Sequence, residues 1–374
     1  MTNIVYIVNS LNLGGTENLV VQMSLAFQGK YNISVICLDE PGIWAEKLRN
    51  SGINVHCFWR QPGLDFSMAG KIASFCKDNH IDLIHAHQCT PWFYGALSRI
   101  IHHKPKFLFE EHGRHYPEIY SGKKNIVNKL LIQNLTHKII AVSKDVGSRL
   151  VKYEGITPSR INVIYNGVHP PVLIDRKRRA ELRQQLGIGP NDFVIGSVGR
   201  LDPIKNFPML LTAVSNARKD IHNLKCVLVG DGPEMEDLQQ QARSLKIESE
   251  VIFAGYRQDA IDLLQCMNFF VLCSFSEGTS MALLEAMSSG IPAIVTDVGG
   301  NPELITHHHN GWVIPSDDHK ELKNAIIEAY SNSKLSQEMA NNAHRCFASS
   351  FSFDGMLANY NQLYLELVGS DIVQ

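Results

Sequence analysis

Two carboxylates eight positions apart, Glu277 and Glu285, flank the part of this chain best suited to chemistry. Glu277 sits in a loop just after the apolar run FFVLCS. Glu285 lies inside an apolar stretch of helical character, among Ala282, Leu283, Leu284, Ala286 and Met287. Gly290 and Pro292 end that stretch, and a strand-like run, PAIVTD, follows. A strand, a loop of small residues and a helix start form a cradle for a diphosphate. The free N–H groups of the first turn point at the anion and the helix dipole favours it. Gly278, Thr279 and Ser280 keep the approach uncrowded, and Met281 follows at the helix start. A carboxylate placed like Glu285 is costly to bury without donors, and a ribose diol supplies two.

Other residues extend the same chemistry. Arg200 and Lys205, in SVGRLDPIKNF, follow a strand-like run and place two cations where a diphosphate leaving group needs them. Gly14 and Gly15 end the first strand-like run and let the backbone come close to a phosphate or sugar. His85 and His87 end the run IDLIHAH, and His112 follows KFLFEE. A metal held by these three histidines is one reading. No carboxylate pair of the kind that binds a divalent ion accompanies them, so no metal is expected. The pattern G-x-G-x-x-G is absent from both strand-to-helix turns that could carry it, which disfavours a nicotinamide dehydrogenase.

Such residues need strand ends to hold them. Near-continuous apolar runs fall at 3–8, 33–38, 81–87, 106–112, 138–143 and 161–167, and again at 193–199, 225–232, 251–255, 269–274, 292–297 and 311–315. Helical stretches separate them. Strands buried on both faces and alternating with helices predict parallel sheets. Two series predict an α/β protein of two tandem doubly wound, Rossmann-like domains facing across a cleft, with ligands at the carboxyl ends of the strands. Pro170 and Pro171 mark the linker. The expected domains are 1–169 and 170–352. The basic cluster Arg176 to Arg179 reads as a solvated helix face. Lysines 123, 124, 129 and 138 alternate with Ile, Val and Leu, a pattern that suits a core-facing helix and also an anionic membrane surface.

With 35 basic and 37 acidic residues the chain lacks the excess charge of a nucleic-acid binder. No apolar run is long enough to span a bilayer. The N-terminus reads as a strand, not a signal peptide. The eight cysteines are scattered, without a C-x-x-C pair, and read as reduced thiols of a cytoplasmic protein.

The order of these signals, Gly-Gly, HAH, HG, GR…KN, GDGP and Glu-x7-Glu, resembles the retaining glycosyltransferases of family 4, which have the GT-B fold. The resemblance runs from Gly14 to about Gly311. It implies a metal-independent and cofactor-free hexosyl transfer from a nucleoside diphosphate sugar to a glycan or lipid-linked acceptor, with retained anomeric configuration. It places Glu277 and His112 at the donor sugar, Glu285 at the ribose, and Arg200 and Lys205 at the diphosphate. By position, Tyr256 and Arg257 would frame the base. The last helix, about 353–374, would cross back to the first domain, and contact with the inner face of the membrane is expected. Where relatives often have Thr or Ser two residues before the histidine, this chain has Glu110, and Glu-Gly-Thr-Ser replaces the commoner Glu-Gly-Phe-Gly. Two rivals share the diphosphate site: a sugar-nucleotide epimerase or hydrolase, and a non-catalytic nucleotide-sugar binding subunit.

Overall fold

The computed structural model describes residues 1–113 and 118–369. The chain forms two compact units, one of residues 1–165 with 356–374 and the other of residues 166–355. The last helix, Phe353–Val368, thus runs from the second unit into the first. Residues 370–374, expected at its end, lie outside the described residues.

Among its described residues the first unit holds seven strands: β1 (Asn3–Val8), β2 (Asn32–Cys37), β3 (Asn54–Cys57), β4 (Leu83–His87), β5 (Lys106–Glu111), β6 (Lys138–Ala141) and β7 (Ile161–Val163). Their order is β3-β2-β1-β4-β5-β6-β7, and all pairs are parallel. Successive side chains of a strand point to opposite faces. Val5, Ile7, Ile84, Ala86, Phe107 and Phe109 therefore share one apolar core. The other face carries Tyr6, His85, His87 and Glu110, all fully buried. Strand β3 was not among the expected runs. It is an edge strand with only Val55 buried, so it lacks the apolar continuity that marks the others.

The second unit holds β8 (Phe193–Val198), β9 (Leu224–Val229), β10 (Val251–Gly255), β11 (Phe269–Leu272), β12 (Ala293–Thr296) and β13 (Gly311–Ile314). The order is β10-β9-β8-β11-β12-β13, again parallel throughout. Its main core is built on Ile195, Leu210, Leu211, Val214, Val271, Ile294 and Ile326. Strand order reverses direction at β1/β4 in the first sheet and at β8/β11 in the second. The loops leaving such a pair turn to opposite sides of the sheet and open a crevice at the carboxyl ends.

One expectation fails locally. The helix Gly122–Leu130 does not turn its apolar residues to the core. Its one buried residue is Asn128, which donates to the buried Glu154 carboxylate, 2.7 Å away. Ile126, Val127 and Leu130 are exposed. A buried carboxylate demands donors, and that demand sets the rotation of this helix. Lys124 supplies a second donor to Glu154 at 2.7 Å.

Candidate active site

The crevice at β8/β11 brings together Lys205, Glu277 and the start of the helix Met281–Ser288. The β8 loop turns through Lys205 to Asn206, whose left-handed backbone (φ 51) caps the next helix. The loop after β11 carries Glu277. Across the switch point the Lys205 ammonium donates to Glu277 Oε1 at 2.6 Å, and the Ser274 hydroxyl donates to the same oxygen at 2.5 Å. Backbone bonds lock both loops: Phe275 N–H donates to the Ile204 carbonyl and Gly300 N–H to that of Glu277. Two glycines permit this closeness. A Cβ on Gly299 (φ 55) would lie 2.0 Å from the Glu277 carbonyl oxygen, and one on Gly230 (φ 140) 1.9 Å from that of Gly199.

The helix Met281–Ser288 starts beside this pair. The Ser280 hydroxyl caps it by accepting from Leu283 N–H. The first-turn N–H groups of Met281 and Ala282 have no carbonyl within the helix. Thr279 and Ser280 are buried, and Asn166 donates to the Thr279 carbonyl at 3.2 Å, steadying the turn. Gly278 is half-buried, as is Glu285 one turn into the helix. Burial pushes the Glu285 carboxyl up to about 7. Arg200 is largely exposed, with its Nε 3.8 Å from Asp202.

Lys205 and Glu277, separately assigned from sequence to diphosphate and sugar, thus form one ion pair. Tyr256 stands exposed after β10. Arg257 is held in a fork by Asp259, at 2.7 and 2.8 Å, so its guanidinium is already engaged.

In the first unit, Gly15 opens the helix Gly15–Phe27 after β1, with Gly14 as its cap. The space beside Gly14 is filled by this chain's own Glu17. A Cβ on Gly14 would meet Glu17 Oε2 at 2.1 Å, and burial raises the Glu17 carboxyl above its usual range. Sequence reading missed Glu17, which folds an acid over the helix start.

The histidines gather at the ends of β4 and β5. His87 and Glu110 are register partners on these strands. His85 Nε2 lies 3.0 Å and His87 Nδ1 3.4 Å from Glu110 Oε2, and His112 Nε2 lies 3.6 Å from Oε1. His87 Nδ1 and His112 Nε2 share a 2.9 Å hydrogen bond. Burial alone would raise Glu110, but the imidazoles of His112, His85 and His87 outweigh it and hold the carboxyl well below its usual value. Burial pushes His87 and His112 down to about 4 and lowers His85. His85, His87 and Glu110 place ligand atoms within 4.8 Å of one another. Glu110 therefore stands among the histidines as a single carboxylate, not as the pair of the kind that binds a divalent ion. The signal was in the pattern: H-x-H and E-x-H at the ends of neighbouring strands put all four side chains on one face.

Comparison with known proteins agrees with this architecture. Residues 13–171 match the family described as Glycosyltransferase Family 4, and residues 178–345 match Glycosyl transferases group 1. The N-acetyl-alpha-D-glucosaminyl L-malate synthase of Bacillus anthracis is 24% identical, over 85% of this chain and 84% of its own. The UDP-Gal:alpha-D-GlcNAc-diphosphoundecaprenol alpha-1,3-galactosyltransferase of Escherichia coli is 26% identical, over 95% of each. The fold superimposes on the HepE protein of Anabaena, crystallised with UDP, with a TM-score of 0.86 and 24% identity, over 98% of this chain and 100% of that one. Two parallel Rossmann-like sheets with this match define a glycosyltransferase of the GT-B fold. The chain belongs to glycosyltransferase family 4.

Proposed function

We propose that this glycosyltransferase moves a hexosyl unit from a nucleoside diphosphate sugar to a glycan or lipid-linked acceptor, with retention and without a metal or other cofactor, in cell-surface polysaccharide or glycolipid synthesis. The observation that carries the reading is the Lys205–Glu277 pair lying against the start of the helix Met281–Ser288. A diphosphate at that helix start meets free N–H groups, and Lys205 and Arg200 add positive charge. Glu277, freed to the sugar hydroxyls, orients the hexose, and Glu285 accepts from the ribose. Tyr256 is the base's stacking partner. Gly14, Gly15 and His112 are further donor contacts in this reading.

The chemistry follows from that placement. The acceptor hydroxyl oxygen bonds to the anomeric carbon on the face that the diphosphate leaves. The bond from that carbon to the diphosphate oxygen breaks, and the hydroxyl proton passes to the departing phosphate. Negative charge grows on the diphosphate, where Arg200, Lys205 and the helix start oppose it, the largest stabilisation expected here.

The E. coli relative is named for a UDP-linked donor and a diphosphoundecaprenol acceptor, and HepE was crystallised with UDP. Both favour a uridine nucleotide, and the first favours a lipid-linked acceptor. Work at the cytoplasmic face of a membrane suits such an acceptor. Ile119, Tyr120, Ile126, Leu130 and Leu131 are exposed beside Lys123 and Lys129, a combination that favours anionic lipid surfaces. Among the described residues no helix is long and apolar enough to cross a membrane.

A thermal-shift series of nucleoside diphosphates and their sugars tests the donor, since a ligand bound to the native state raises the transition. Proton NMR of the first-formed glycoside tests retention, and an inverted linkage would refute it. Donor breakdown without acceptor would favour a hydrolase or epimerase, and no turnover with any acceptor would favour a binding subunit. Sedimentation with anionic vesicles, with Ile126→Glu and Leu130→Glu as controls, tests membrane contact. Equal binding by both variants would exclude this surface.

A further inference from the structure

Glu110 occupies a place that calls for explanation. It is fully buried, no Lys or Arg among the described residues pairs with it, and three imidazoles and the Tyr360 hydroxyl face it. A carboxylate only accepts hydrogen bonds, so its neighbours must turn their hydrogens toward it. This fixes the direction of a whole row. His85 Nε2 faces Glu110 at 3.0 Å and carries the hydrogen. His85 Nδ1 is then an acceptor, and the Tyr364 hydroxyl, 2.8 Å away, donates to it. Tyr6 in turn donates to Tyr364 at 3.1 Å. On the other side, His87 Nδ1 is the ring nitrogen of the His87–His112 bond nearer the carboxylate, at 3.4 Å against 3.6 Å. Burial keeps His87 and His112 neutral near pH 7, so each ring has one hydrogen to place. Two ring nitrogens, His87 Nε2 and His112 Nδ1, are buried without a hydrogen-bond partner among the described residues.

We infer that Glu110 is a positioning residue for His112: it holds the shared hydrogen on His87 Nδ1, so that His112 accepts at Nε2 and presents Nδ1–H as a donor to the sugar nucleotide. The imidazole hydrogens follow from this network of partners, the usual basis for assigning a tautomer. The donor role rests on the reading of His112 as a sugar contact, whereas the direction of the row does not.

Glu110→Gln separates the two. It keeps the shape and puts an amide N–H within reach of His87 Nδ1. That nitrogen becomes an acceptor, so His87 carries its one hydrogen on Nε2, while His112 carries its own on Nε2, donates it to His87 Nδ1 and is left with a bare Nδ1. Long-range proton–nitrogen NMR on full-length protein labelled at histidine should show Nδ1–H at His112 in the wild type and Nε2–H in the variant. kcat should fall about tenfold or more, with KM for the donor nearly unchanged. A wild-type His112 protonated at Nε2 would overturn the inference even if the variant failed to fold. So would an unchanged tautomer in a folded variant. Stoichiometric zinc in the purified protein would also overturn it, since the same nitrogens would then be ligands. A switched tautomer with undiminished kcat would refute the sugar contact and leave the hydrogen row intact.

Discussion

The two units solve the same problem in opposite ways. Each brings a carboxylate to the carboxyl end of a parallel sheet beside its switch point. In the second unit Glu277 meets Lys205, and the pair lies near water, with the lysine side chain 24% exposed. In the first unit Glu110 meets neutral rings and is sealed in. A pair at the solvent edge can be opened by an incoming anion, because water and ligand replace what is lost. A sealed carboxylate cannot change partners without leaving a buried group unpaired, which costs about 1–3 kcal/mol or more. The first unit is therefore built to hold a geometry and the second to exchange one.

The strongest way to break this contrast is to remove the exchangeable cation. Lys205→Ala should lower kcat by about a hundredfold or more, the scale of losing one charge partner of the transition state. Steady-state kinetics with saturating donor decides it, and Arg200→Ala should act in the same direction. A loss confined to KM would place these cations in ground-state binding alone. Next in size come the two carboxylates. Glu277→Gln should mainly lower kcat. Glu285→Gln should weaken nucleoside diphosphate binding by about 1–3 kcal/mol. Calorimetry with the diphosphate alone tells them apart, and equal losses would erase the assigned roles.

A smaller effect needs no ligand. Glu285 has its carboxyl raised from 4.5 to about 7 by burial. Between those values the folded state binds more protons than the unfolded, so this residue makes stability fall as pH rises through the window. Gln does not titrate. Glu285→Gln should therefore be more stable than wild type at pH 8, by roughly 1–3 kcal/mol, with the gain vanishing toward pH 4.5. Thermal melts at the two pH values test this, and a gain independent of pH would point to packing instead. The smallest expected effect is none: turnover should persist in excess chelator, because Arg200, Lys205 and a helix start take the place of a metal at the diphosphate. Loss restored by magnesium or manganese would refute that.

Most of the fold was legible because buried strands must be apolar on both faces, and those runs survive in sequence. Strand β3 was not, since Asn54, His56 and Cys57 pack less tightly than Val55. In the second unit the site was legible because its residues follow strand ends. What hid was pairing across distance: Lys205 with Glu277, 72 positions apart, and Asn166 beneath Thr279. The helix Gly122–Leu130 misled because a single buried Glu154 decides which way it faces. Glu110 read as a departure from the family pattern, yet alternation on β4 and β5 already placed it among the histidines.

The last helix gives the molecule a clock. Tyr364 closes the row begun by Tyr6, 358 positions earlier. All of the second unit is synthesised between those two tyrosines. A growing chain can therefore complete its second sheet while the first still lacks the helix that covers Tyr6 and His85. Domains that fold as units during synthesis usually do so from the N-terminus. Here that order is reversed for one step, since the Glu110 pocket cannot close until the helix Phe353–Val368 has been made. A chain cut short before Tyr360 would leave Glu110 and its histidines uncovered beside a finished second sheet.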